Sequence, residues 1–296
     1  MTARFDVSGM VDIHTHVGPS PFDRRVDGYE AAVEAGAAGM DAIVMKEHFL
    51  PTVYATMYID RLLDRDGIEL DVLGSTVLNY CNGGFNPFAV QTAIEYGADV
   101  IWGPTIDARN HAEQTGELGA FLGVEAGEEY DDRSGITALD GSGDLRDEVR
   151  LCLEKVAAND VVLALGHLSY EETHALVKYA ADLGHERIII DHPNYPVTGL
   201  DRDQQAELAS LGAVLNYPFM AISPKNNWLS SEELAAIISE VGVDNCVIST
   251  DVGQPVNPSI PESLRIFGEV LRTEGFSEAD LRKMAERRPK RLLGLE

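Results

Sequence analysis

The sequence predicts an α/β protein, a (β/α)8 TIM barrel formed as one domain over residues 1–296. Three observations carry this expectation. Short apolar runs alternate with amphipathic helical stretches, the pattern of parallel βα units. The length suits one such barrel without a second domain. Eight runs of strand character occur, and no Gly-x-Gly-x-x-Gly follows the first, so an open dinucleotide-binding sheet lacks its signature.

The strands are expected at Gly9–Ile13, Asp41–Met45, Leu70–Leu78, Asp99–Gly103, Val161–Gly166, Arg187–Asp191, Ala213–Asn216 and Cys246–Thr250. Most are unbroken β-branched or aliphatic runs, as strands covered on both faces require. Ser169 with Glu172, and Ser230 with Glu233, have capping-box spacing at the starts of the helices after the fifth and seventh strands. One stretch breaks the rhythm. Pro104–Gly143 is a long loop insertion after strand 4, containing Gly-Glu-Glu-Tyr-Asp-Asp-Arg and Asp-Gly-Ser-Gly-Asp. A loop of this length within a compact domain is usually a lid or a binding loop, or is partly disordered, and its place after a strand puts it on the catalytic face of a barrel.

Composition narrows the partners. Hydrophobic residues make up 45%, enough for a sizeable core. The formal charge is −26, from 49 acids against 23 bases spread along the chain. That balance disfavours nucleic acid and anionic lipid and reads as a solvated acidic surface. No apolar run approaches a membrane span, and the start lacks the apolar core of a secretory signal. The expectation is a cytoplasmic protein with a small-molecule substrate, no nucleic-acid or membrane partner, and nothing against a homo-oligomer. Cys81, Cys152 and Cys246 are far apart with no CxxC spacing. Cys152 and Cys246 lie in apolar patterns and read as buried thiols, while Cys81 falls near a strand end.

The chemistry concentrates at strand ends. His14 and His16 close the first strand in Asp12-Ile-His-Thr-His. Alternate residues of a strand point to one side, so both imidazoles can reach one point. Alone, such a pair could equally be two turn histidines. His167 ends the fifth strand, His192 the sixth and Asp251 the eighth. The carboxyl ends of barrel strands converge on the rim where barrel active sites lie. His111, His174 and His185 fall in loop or helix settings and read as ordinary surface or partly buried residues. Imidazole and carboxylate together suit Zn, Mn, Fe or Ni, with Zn first.

With these positions in view, the chain resembles the amidohydrolase superfamily. That family carries HxH after strand 1, single histidines after strands 5 and 6, and an aspartate after strand 8. The ending Arg288-Pro-Lys-Arg-Leu-Leu-Gly-Leu is similar to the family's closing helix, with Arg where Asn is usual. The resemblance implies a divalent metal, as one or two ions, held by His14, His16, His167, His192 and Asp251. It implies a metal-dependent hydrolase that cleaves an amide, lactone or other ester bond of a small molecule with a metal-activated water. Asp251 would be both ligand and proton shuttle.

One element departs from the pattern. Two-metal members carry a carboxylated Lys or a Glu after strand 4, where this chain reads Ile101-Trp-Gly-Pro-Thr. Lys46, ending strand 2, could supply a carbamate bridge instead, contact Asp251 or substrate, or have a remote surface role. The departure keeps open a one-metal decarboxylase or lyase, in which His14, His16 and Asp251 hold the metal and His167 or His192 moves protons. A non-catalytic metal-binding protein is the third reading. His48, Arg109, Asn194, Tyr195 and Lys225 are the candidate substrate contacts, Arg109 and Lys225 hinting at an anionic group. Asn79, Asn216, Gln254 and Asn257 fall on the same rim.

Overall fold

The structure is a computed structural model that describes residues 4–119 and 134–296. Its strands are β1 (Val11–His16), β2 (Ala42–Lys46), β3 (Asp71–Leu73), β4 (Ser75–Val77), β5 (Val100–Trp102), β6 (Val162–Leu165), β7 (Ile188–Asp191), β8 (Val214–Pro218) and β9 (Cys246–Ser249). The helices between them include α1 (Gly28–Ala37), α2 (Val53–Asp66), α3 (Pro87–Glu95), α4 (Arg109–Thr115), α5 (Asp147–Ala158) and α6 (Tyr170–Asp182). Then follow α7 (Arg202–Ser210), α8 (Ser231–Val241), α9 (Ile260–Thr273), α10 (Glu278–Arg282) and α11 (Arg288–Leu293). The chain forms two compact units: Met1–Glu47 with Thr52–Gly74 and Asn216–Glu296, and His48–Pro51 with Ser75–Leu215.

In the first unit β1, β2 and β3 pair in parallel in that order. His16 lies opposite Lys46, with the register shifting between Asp12 and Thr15. The end of β1 also meets the segment after β9, where the Asp251 amide donates to the His14 carbonyl (2.9 Å) and the His16 amide to that of Val252 (2.8 Å). Helix α9 buries Ile260, Leu264, Phe267, Gly268 and Leu271, a spacing that places one apolar stripe along the helix. Gly268 has no room for a side chain, because a Cβ there would enter the Phe5 ring. The chain closes on α11, stopped by Gly294 in the left-handed region at φ 71°, the usual way a helix is ended. This is the helix expected from the Arg288-Pro-Lys-Arg motif.

In the second unit β4, β5, β6 and β7 pair in parallel in sequence order. All four are buried throughout, which suits the apolar runs of β5, β6 and Ile188–Ile190. The Ser169/Glu172 capping box is formed at α6, as the Ser230/Glu233 box is at α8 in the first unit.

Two expectations need correction. Leu70–Leu78 is two strands, broken at Gly74. A Cβ on Gly74 would stand 2.6 Å from Cα of Val53, so the chain there must pass α2 as bare backbone. The described part of Pro104–Gly143 is more than a loop: it contains α4, and bridges join Ala108 to Ile136 and Leu139 to Leu145. Its Gly-Glu-Glu-Tyr-Asp-Asp-Arg segment lies within 120–133, outside the described residues, and so does that part of the expected insertion or lid. Among the described residues no helix is long and apolar enough to cross a membrane.

Gly74→Ala must push a methyl group against main chain that cannot rotate away. It is expected to destabilise the protein by about 1–3 kcal/mol, read as a lower urea midpoint at unchanged m-value.

Candidate metal centre

In the first unit His14, His16 and Asp251 come together and are buried. Their facing atoms form a triangle. His14 Nε2 and His16 Nε2 are 3.2 Å apart, and Asp251 Oδ1 lies 3.2 Å from the first and 3.0 Å from the second. Zn–N and Zn–O bonds of about 2.0–2.2 Å set tetrahedral ligand atoms about 3.3 Å apart. The donor set therefore fits one face of the shell around a divalent ion.

The protonation of His16 follows from its neighbour. His16 Nδ1 is 3.1 Å from the Lys46 carbonyl oxygen. A carbonyl only accepts, so in the tautomer that bonds it Nδ1 carries the hydrogen and the Nε2 lone pair faces the triangle. Burial, aided by the nearby Arg24 charge, pushes the imidazole down to about 3. His16 is thus neutral at physiological pH, as a metal ligand must be.

Asp12 holds the frame of this group. It is fully buried, and its carboxylate accepts from the His14 amide (3.1 Å), the Thr250 amide (3.1 Å) and the Thr250 hydroxyl (2.6 Å). Burial raises its carboxyl to about 6, while the three donors favour the charged form. Just beyond Thr250, Asp251 adopts a left-handed backbone at φ 55°. Such a conformation in a non-glycine residue costs about 1–3 kcal/mol and persists only where the surroundings impose it. Two residues on, a Cβ at Gly253 would stand 2.0 Å from the His16 carbonyl oxygen. Only glycine lets this segment lie against β1 so closely.

The second unit holds its own histidine cluster. His167 and His192 leave β6 and β7 with φ of 67° and 36°, and their rings meet edge to face at 4.9 Å. Gly166 makes room, since a Cβ there would stand 2.7 Å from His192 Cε1. His192 Nδ1 bonds the Thr198 hydroxyl (3.2 Å), and Tyr195 stacks on its ring at 4.4 Å. His111 corrects its reading as an ordinary residue. It is fully buried on α4, with its Nδ1 2.8 Å from Nδ1 of His167, so one of the two nitrogens donates. Its neighbour Asn110 donates to the carbonyls of His167 and Val197. A polar Asn-His pair opening a short helix is the only trace this leaves in the sequence.

The other predicted residues are distributed between the units. Lys46 is buried at the end of β2. His48 Nδ1 and the Asn79 amide both meet the Thr105 hydroxyl, at 2.9 and 2.8 Å. Asn194 accepts from Gln205 (2.7 Å). Arg109 is engaged by Ser134 through Nε (3.0 Å), and Lys225 is exposed. Asp107, the carboxylate nearest the end of β5, accepts from the Tyr80 amide (2.7 Å). Cys152 and Cys246 are buried and Cys81 is exposed.

The fold is shared with solved members of the amidohydrolase superfamily, the family the strand-end residues resemble. An amidohydrolase from Pseudomonas aeruginosa is similar with a TM-score of 0.64 at 12% identity, over 96% of this chain and 95% of that one. A mutant organophosphorus hydrolase from Deinococcus radiodurans gives 0.60 at 15% identity, over 99% and 95%. A 2,6-dihydroxybenzoate decarboxylase from Rhizobium gives 0.54 at 14% identity, over 97% and 99%. No curated protein matches the sequence. Residues 9–216, more than two thirds of the chain, match the model of DUF6282, a family of unknown function, and the chain belongs to that family.

Asp12→Ala leaves two buried amides and a hydroxyl without their acceptor. Each orphaned group costs about 1–3 kcal/mol. The variant is expected to lose more than about 2 kcal/mol of stability, measured by denaturant unfolding of the metal-free protein.

Proposed function

We propose that this chain is a metal-dependent hydrolase acting on an amide, lactone or other ester bond of a small molecule. The observation that carries the reading is the buried triangle of His14, His16 and Asp251, with His16 held neutral. A divalent ion bound there, with Zn the first choice for this donor set, would supply Lewis-acid polarisation of a carbonyl and acidification of water. His14 and His16 would hold it through Nε2 and Asp251 through Oδ1. Asp251 Oδ2 would take the proton from the attacking water and return it to the leaving group. The closed (β/α)8 barrel, the ligand roles of His167 and His192, and a carbamate on Lys46 belong to the same proposal and rest on the resemblance.

A second reading, a one-metal decarboxylase or lyase, has its own support. The His14–His16–Asp251 set is complete in itself, and β5 runs into Gly103-Pro104-Thr105, which offers no bridging ligand. The two readings separate on a panel of lactones, amides, esters and aromatic carboxylic acids. Ring opening or acid release without CO2 marks the hydrolase, and CO2 release marks the decarboxylase.

His14→Ala combined with His16→Ala is expected to give a folded protein without tightly bound metal, and unchanged metal by elemental analysis would remove the assignment. Asp251→Asn keeps an oxygen for the ion but cannot take a proton at neutral pH. Its kcat on any substrate found should fall by about 10²–10⁴-fold, and a near-normal kcat would take Asp251 out of the proton path.

A further inference from the structure

Beside the triangle stands an arginine with a buried donor that meets no acceptor among the described residues. Arg24 lies in the loop between β1 and α1. The Gly18 amide donates to the Val26 carbonyl (2.9 Å), the Gly28 amide to that of Gly18 (3.1 Å), and the Arg25 amide to that of Gly253 (2.7 Å). These bonds fold the loop onto the end of β1 and onto the segment that carries Asp251. Arg24 is half-buried there, its guanidinium 5.6 Å from the centre of the Phe22 ring and its Nη2 3.4 Å from His16 Nδ1.

Arg24 Nη2 and the Lys46 carbonyl face the same nitrogen, and one tautomer can serve only one of them. When His16 Nδ1 donates to the carbonyl, the guanidinium, which has only donors, finds no acceptor there. Arg24 Nε is closed off from solvent and meets no acceptor among the described residues. Nor does any carboxylate among them come within 4.0 Å of the guanidinium, although the charges of Glu47 and Asp251 act on it. Glu47 instead accepts from the Ser20 hydroxyl (2.8 Å). Two other arginines of this unit meet carboxylates. Arg25 pairs with Glu34, and Arg282 with Glu286 and the Ser8 carbonyl. In a chain with 49 acids against 23 bases, a half-buried arginine without a carboxylate is a costly arrangement unless a ligand completes it.

We infer that Arg24 is a substrate-binding residue, that its guanidinium receives a carboxylate of the substrate, and that the substrate is therefore a small carboxylic acid. The inference rests on the reading of His14, His16 and Asp251 as a metal centre. The planar fork of a guanidinium matches a carboxylate with two parallel hydrogen bonds, which a lysine cannot do. One imidazole ring separates Arg24 from the Nε2 of His16. The anionic group thus lies only a few bonds from the carbonyl or carboxyl group held at the triangle. Arg24 takes the role for which Arg109 and Lys225 were the sequence candidates.

Calorimetric titration of malonate and of inorganic phosphate into wild type, Arg24→Lys and Arg24→Gln tests this, in metal-loaded and metal-free forms, with metal content measured on every sample. Wild type is expected to bind malonate. Arg24→Gln should weaken it by about 10- to 100-fold, with Arg24→Lys between, and the metal content should be the same in all three. Equal malonate affinity in wild type and Arg24→Gln overturns the inference, as does a wild type that binds no malonate. Phosphate binding tighter than malonate and dependent on Arg24 overturns the carboxylate assignment. Wild type that fails to retain metal refutes the metal centre instead, and the metal-free titrations still report on Arg24.

Discussion

Asp12 puts a carboxylate where there is no water and surrounds it with the His14 amide and both donors of Thr250. Those bonds tie the end of the first strand to the end of the last. The two histidines sit on one tied segment and the aspartate follows the other. The 3.0–3.2 Å spacing of the three donor atoms depends on that tie. Without it the triangle would be three side chains on two separate strand ends, each free to turn to solvent. The burial that raises Asp12 to about 6 is the cost of the arrangement, and its three donors offset part of it.

Strain and close approach complete what the tie begins. Asp251, His167 and His192 all leave their strands in the left-handed region, each turning its side chain at a point where an extended backbone would carry it past. Glycine provides the matching space at Gly253 against His16 and at Gly166 against His192. The two units use the same device independently: a strand, a strained residue and a glycine beside it. Residues held this way are expensive for stability, and such positions gather at functional sites.

Electrostatics around the triangle then decides what can enter. His16 is neutral because it is buried and because Arg24 stands beside it. The same Arg24 brings positive charge to a protein that is otherwise strongly acidic. Two imidazoles with a carboxylate suit a cation, and a guanidinium suits an anion. A metal with an anionic small molecule satisfies both.

Much of this was legible along the chain. The alternation of strands and helices, both capping boxes and the closing helix depend on local propensity and local hydrogen bonds, and adjacent residues carry them. His14, His16 and Asp251 were legible because two-residue periodicity and strand-end position are themselves local. Only the tertiary structure decided the rest. Gly74 breaks a run that reads as one strand because α2 passes against it, and no feature within the run announces a distant helix. His111 looks like any polar residue on a short helix until α4 carries it to His167. Arg24 gains its meaning from a loop folded back onto His16 and Gly253, and Arg109 spends its donors on Ser134. A sequence records what each residue can do. Which partner meets it, and which donor is left open, is settled by contacts between segments far apart in the chain.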